Sequence, residues 1–141
     1  MTNVNESIAK IEGGRAAFAF DEVAQSVRDG RIDGKKYRAY VKKMPSLIQV
    51  NGLGQTLAFY FSKRKRSGEG KIYDEIYQSV AKWLEQKFPE YFREQPDREA
   101  YKLIKTVINL KSKDYRFVTM ETLAFLNWMR KFADGMVTDD E

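Results

Sequence analysis

Neither cysteine nor histidine occurs among the 141 residues, and proline is found only three times. The missing cysteines exclude disulfides, thiolate metal sites and sulfur nucleophiles. The missing histidines remove the commonest general base and metal ligand near neutral pH. Serine, lysine and carboxylate chemistry remain, and no motif asks for them. Asp21-Glu22 falls inside a helical pattern and Asp139-Asp140-Glu141 in a terminal tail, and neither offers a metal-ligand set. Long apolar runs are lacking too. Segments such as Leu57-Ala-Phe-Tyr-Phe61 fall far short of the roughly 20 residues of a membrane-spanning helix. No basic stretch followed by an apolar run and a small-residue cleavage site opens the chain, so no secretory signal is expected. These absences predict a soluble, cytoplasmic protein that is not an enzyme and has no membrane partner, cofactor or metal.

The residues that are present suit a core and a charged surface. Hydrophobic residues make up 43% of the chain and aromatics 13%, enough to build a core without disulfide or metal staples. A single helical domain over residues 1–141 is expected, with a mobile N-terminus and a mobile acidic tail at 136–141. Lys and Arg number 25 against 20 Asp and Glu, a net charge of +5. That excess is modest, and its clustering matters more than its sum. One cluster is Lys35, Lys36, Arg38, Lys42 and Lys43, and a second is the run Lys63-Arg64-Lys65-Arg66. Between them lies Asn51-Gly52-Leu53-Gly54-Gln55. Such concentrations of positive charge commonly meet phosphates.

Apolar residues recur at spacings of three and four, the helical period. The fold class is therefore all-α, a compact bundle of about five to seven helices. A first helix from Asn5 to Arg28 carries Ile8, Ile11, Ala16, Phe20, Val23 and Val27 inward and ends at Asp29-Gly30. Gly13-Gly14 weakens it by roughly 1 kcal/mol each against alanine and favours fraying or bending of the preceding turns. Asp33 is the expected N-cap of a second helix with Tyr37, Tyr40, Val41 and Met44 on its inner side. Lys35, Arg38 and Lys42 fall opposite, widened by Lys36 and Lys43. A break or kink is expected at Pro45, because the residue before a proline avoids the helical region and proline suits a first turn.

Asn51-Gly52 reads as a turn. After it, Leu53, Leu57 and Phe61, with Ala58 and Tyr60, restart a helical stripe that the basic run ends. Ser67 to Gly70 is expected to be a loop. Ile72, Ile76, Val80, Trp83 and Phe88 then form an amphipathic helix stopped by Pro89. Residues 89–96 are expected to connect it to a helix capped by Asp97, carrying Leu103, Ile104, Val107 and Ile108 and ending near Leu110. Thr119 is the expected N-cap of the last helix, with Val118 and Leu123 as a hydrophobic staple. Leu126, Trp128, Met129, Phe132 and Ala133 continue it to Asp134-Gly135. Apolar residues surround much of this helix, which places it centrally in the bundle or at a subunit interface.

Gly52-Leu53-Gly54 lacks the third glycine and the preceding strand of a dinucleotide loop, and no Gly-Lys-Ser/Thr phosphate loop exists. A structural turn is the better reading. The glycines permit positive φ or close backbone approach, Asn51 tolerates a left-handed turn, and Gln55 can bond exposed backbone groups. The basic stripe is either a solvated helix face or a phosphate-binding surface. Tyr37, Tyr40 and Tyr60 sit beside apolar residues and are read as core rather than as base-stacking residues. Trp83 and Trp128 are read as core, or as anchors for another subunit.

Pro45-Ser-Leu-Ile48, Asn51-Gly-Leu-Gly-Gln55 and Leu57-Ala-Phe59 resemble the signature of the small subunit of the type III-B CRISPR effector, the Cmr complex. Tyr115-Arg116, Thr119, Glu121, Leu126, Trp128, Arg130 and Phe132-Ala133 resemble that family's terminal motif, in the expected order. The resemblance spans almost the whole chain. It implies a small helical protein whose copies stack beside the backbone subunits of an RNA-guided ribonucleoprotein, in company with the large subunit. It also implies that target-RNA cleavage belongs to the backbone subunit and nucleotide chemistry to the large subunit. The small subunit then lines the groove that holds guide RNA and target RNA. A basic helical face can hold such a backbone without reading sequence, which is left to base pairing.

The expected function is accordingly a non-catalytic, RNA-binding structural subunit. Lys35, Lys36, Arg38, Lys42, Lys43, Lys63, Arg64, Lys65 and Arg66 are its candidate phosphate contacts, and Asn51, Gly52, Gly54, Gln55, Tyr115, Arg116 and Trp128 its structural motif residues. A helical protein–protein adaptor without nucleic-acid contact is the alternative within binding proteins. A serine or carboxylate enzyme is the alternative from another class.

Overall fold

A computed structural model describes residues 4–28, 30, 32–65, 68–93 and 99–138, with side chains from residue 12 onward, Glu99 excepted. The described residues form seven helices and no strand: α1 Val4–Val27, α2 Gly34–Asn51, α3 Leu53–Lys63, α4 Glu69–Lys87, α5 Pro89–Phe92, α6 Glu99–Ile108 and α7 Ser112–Met136. The all-α expectation and its helix number hold. α7 lies along α1 and α2, while α4 touches α1, α2, α3 and α7, and α6 rests on α3.

The helical stripes meet in one core. α2 contributes Tyr37, Val41, Met44 and Ile48, α3 Leu53, Leu57 and Tyr60, α4 Ile76, Val80 and Leu84, and α7 Phe125, Leu126 and Met129, all buried. Each such side chain contributes about 1.5–3 kcal/mol through removal from water. Trp83 stacks on Phe125 at 5.7 Å between ring centroids, so this tryptophan is core. The Asp33 carboxylate accepts from the Lys36 backbone N–H at 3.1 Å, as its N-cap role requires.

A buried ionic contact joins three helices. The Arg15 guanidinium of α1 donates to both carboxylate oxygens of Glu121 on α7, at 2.6 and 2.8 Å. The Trp83 indole N–H of α4 reaches the same carboxylate at 2.9 Å. Arg15 is 9% and Glu121 8% exposed. The hydrogen bond to Glu121 pushes the Arg15 guanidinium further above its ordinary value, burial opposing the shift. Nearby, Glu22 accepts from Ser79 at 2.7 Å and Lys82 at 3.2 Å.

Several local expectations give way. α2 runs unbroken from Gly34 to Asn51 through Pro45. A proline there forfeits a hydrogen bond to the Val41 carbonyl, but Met44 and Ile48 on either side are anchored in the core. The Tyr60 hydroxyl also donates to the Tyr40 carbonyl at 2.6 Å in the same turn. α1 likewise continues through Gly13 and Gly14. α7 begins at Ser112, so Thr119 is no cap; its hydroxyl donates to the Tyr115 carbonyl one turn back at 2.8 Å. α7 also continues past Asp134-Gly135 to Met136.

Glu69 and Gly70 open α4 rather than extending the loop. Pro89–Phe92 is one helical turn, with Phe92 buried. Phe20, expected in the core, is 48% exposed and rests edge-on against Phe132, while Ala19 and Val23 take the inner face. Ile108 is 61% exposed at the end of α6, and Ala58 is exposed on α3. Asp97, Asp29 and the side chains of Ile8 and Ile11 lie outside the described residues.

Candidate nucleic-acid interface

The glycine segment is a joint between α2 and α3. Gly52 has φ +88° and its N–H closes α2 by donating to the Ile48 carbonyl at 2.8 Å. Side chains rarely adopt that backbone, which accounts for glycine there. Gly54 serves close approach: its N–H donates to the Tyr115 hydroxyl at 2.7 Å, and an added Cβ would stand 3.3 Å from that oxygen. The two segments that carry the sequence resemblance, 61 residues apart, therefore touch. Asn51 is the last residue of α2 and takes no left-handed turn, because Gly52 does. Thr56, rather than Gln55, satisfies the joint, its hydroxyl donating to the Gly52 carbonyl at 2.9 Å. Trp128 is half-buried and donates to Glu12 at 2.8 Å, and Arg116 is exposed.

The first basic cluster divides along α2. One flank leans to α7: Lys42 pairs with Asp134 at 3.2 Å, Arg38 donates to the Val137 carbonyl at 3.2 Å, and exposed Lys35 lies on the rim of a cleft with Val137. The other flank leans to α3 and α4. Lys36 meets Glu69 at 2.8 Å, and hydrogen bonds from Lys36 and Tyr40 hold the Glu69 carboxyl below its ordinary range. Tyr40 stacks on Tyr73 at 4.7 Å. Its own hydroxyl is pushed up to about 12, by burial first and then by Glu69. Lys43 stands over the Phe59 ring, 5.9 Å from its centroid.

The second cluster also separates. Lys63 reaches the same Phe59 ring at 5.6 Å. Arg64 turns the other way, its guanidinium 4.3 Å from the Phe61 ring centre, 5.3 Å from that of Tyr77 and 3.5 Å from the Asp74 carboxylate. Exposed Lys65 lies so close over Gly70 that a Cβ there would stand 2.3 Å from its own. Arg66 lies outside the described residues. The structure thus gathers Lys36, Lys43 and Lys63, from two helices, around Tyr40, Phe59 and Tyr73. It does not bring Lys35, Arg38, Lys42 or Arg64 to that face.

Sequence reasoning missed Phe59 as an exposed aromatic and Tyr73 as the half-buried ring beside it. A signal existed for Phe59: it stands out of phase with the buried stripe Leu53, Leu57 and Tyr60, and one helical turn before Lys63. Tyr37 and Tyr60 are fully buried, in keeping with their reading as core. Beside Phe59 a groove of about 360 Å³ runs between α2 and α3, lined by Lys43, Leu47, Asn51, Gln55 and Thr56. Among the described residues no acidic cluster is arranged to hold a metal ion, and no helix is long and apolar enough to cross a membrane.

The family whose model matches residues 11–136 is described as CRISPR-associated protein (Cas_Cmr5). A solved structure with the same helical arrangement is the crystal structure of a CRISPR-associated Cmr5 family protein from Thermus thermophilus. It matches at a TM-score of 0.67 and 24% identity, over 88% of this chain and 94% of that one. The chain belongs to the Cmr5 family. It is thereby a subunit of the type III-B CRISPR complex, with a place among the other Cmr subunits.

Proposed function

We propose that this subunit is non-catalytic and binds RNA, contributing a basic surface along the guide and target in a ribonucleoprotein that captures and cleaves target RNA. The observation that carries the reading is the convergence of Lys43 and Lys63, from two separate helices, on the Phe59 ring, with Lys36, paired to Glu69, further along the same side of α2. Lysines so placed can displace counterions from a phosphate backbone without reading bases. Lys35, Arg38 and Lys42 flank α7 and would extend the contact to a second strand or to an acidic neighbour. Copies of the chain stacked along the complex, in the cytoplasm, would continue the surface. The outer side of α7 suits such stacking, since Phe117 and Met120 are exposed there.

The test replaces Lys36, Lys43 and Lys63 together by glutamine and measures binding to single-stranded RNA across a salt series. The expected result is weaker binding and a salt slope reduced by about 2, from roughly 0.7 per phosphate contact. Unchanged affinity and slope in a folded variant would sink the proposal and favour the protein–protein adaptor.

A further inference from the structure

Phe59 is an aromatic residue of α3 that lies outside the buried core, among the exposed large hydrophobic side chains. Tyr60 and Tyr73 meet it edge-on, each at 5.9 Å between centroids, and hold the ring in place. The residue remains 37% exposed. Two lysines from different helices, Lys43 and Lys63, rest over it. Among the described residues neither meets a carboxylate, in contrast to Lys36 and Lys42. A ring flanked by two unneutralised ammonium groups matches a nucleotide: the π-face takes a base, and the cations take the phosphates on either side of it. The groove beside the ring supplies the side-chain amides of Asn51 and Gln55, which can donate to or accept from any base edge.

Resting on the RNA-binding reading above, we infer that Phe59 is a stacking platform for an unpaired base of a single RNA strand, with Lys43 and Lys63 holding the adjoining phosphates. A base inside a duplex is already stacked on both faces and cannot use the ring. The occupant is therefore a nucleotide outside the guide–target pairing. When the base arrives, the lysine ammonium groups leave the ring for the phosphates. An exposed cation–π contact is weak, so this exchange is easily made. Because every base has a π-face, the contact tolerates any sequence.

The experiment uses the full chain, a single-stranded RNA carrying one 2-aminopurine, and a strand of equal length and charge with abasic positions. Wild type is expected to quench the 2-aminopurine and to prefer the base-bearing strand. Phe59→Ala and Phe59→Leu should lower affinity for that strand about five- to tenfold, to the abasic value, and abolish the quenching. Their salt slope should stay that of wild type, since the lysines remain. Phe59→Leu keeps the apolar contact with Tyr60 and Tyr73, which guards against a folding artefact. Equal affinity of wild type for the two strands, with both variants binding alike, would overturn the stacking role and leave phosphate binding intact. RNA binding unaffected by the variants, together with poorer incorporation into the Cmr complex, would make the groove a protein contact and also overturn it. No RNA binding by wild type at any salt concentration would remove the functional reading and this inference together.

Discussion

The Tyr115 hydroxyl accepts the backbone N–H of Gly54 at 2.7 Å, tying the first turn of α7 to the first turn of α3. That N–H is one of the donors a helix start leaves without an intrahelical partner. Tyr115→Phe should lower stability by about 1 kcal/mol, the net worth of one such bond, as read from the urea midpoint. Gly54→Ala presses a methyl group against the same oxygen. Its cost should shrink in the Tyr115→Phe background, and a double-mutant cycle that finds the two changes additive would refute the coupling.

Gly52 should tolerate substitution least among the residues of the joint. At φ +88° a side chain is strained whatever the surrounding space, at a cost of about 1–3 kcal/mol. Gly52→Ala is expected to lower the unfolding free energy by that amount, as read from the urea midpoint, whereas Gly13→Ala, in open space inside α1, should raise it by up to about 1 kcal/mol.

Removing Glu121 from the buried pair Arg15–Glu121 leaves the guanidinium with only the half-exposed Glu12 carboxylate as its partner. Glu121→Leu should therefore cost up to about 3 kcal/mol, the lower end for a broken buried pair, and because the Trp83 indole loses its acceptor its fluorescence should shift in the native state. Adding Arg15→Leu should recover a large part of the loss. A double variant no more stable than the single would show that packing, rather than the stranded charge, sets the cost.

The Glu12 carboxyl lies below its ordinary value, chiefly because Trp128 donates to it and then because Arg15 stands beside it, burial opposing. A depressed carboxyl adds stability that is present above its unfolded value of about 4.3 and lost as pH falls through the lower folded value. Trp128→Phe should move the Glu12 titration upward when followed by carboxyl carbon NMR. An unchanged titration would mean that the indole does not govern it.

Pro45 sits within a helix held by its neighbours, at the loss of one backbone hydrogen bond. Pro45→Ala should return that bond to the Val41 carbonyl and raise the unfolding free energy, seen as a higher melting midpoint, by about 1–2 kcal/mol once the added freedom of the unfolded chain is subtracted.

Much of this was readable in the chain itself. The spacing of Tyr37, Val41 and Met44, of Ile72, Ile76, Val80 and Trp83, and of Leu126, Met129 and Ala133 determined the helices and their inner faces, because helical period and burial are local consequences of side-chain pattern. Asp33 as a cap and the turn at Gly52 followed from the backbone chemistry of single residues. The motif segments pointed to the family without any coordinates. Tertiary structure alone decided what depends on neighbours distant in the chain. Proline at 45 and threonine at 119 weigh against helix locally, yet the core contacts on both sides of Pro45 and the buried stripe through Val118 outweigh them. Glu121 lies in phase with apolar residues of α7, and only the approach of α1 brings the arginine that neutralises it. The division of the basic clusters is of the same kind. Charge is written in the sequence, but which lysines share a face depends on how α2 leans between α7 on one side and α3 with α4 on the other.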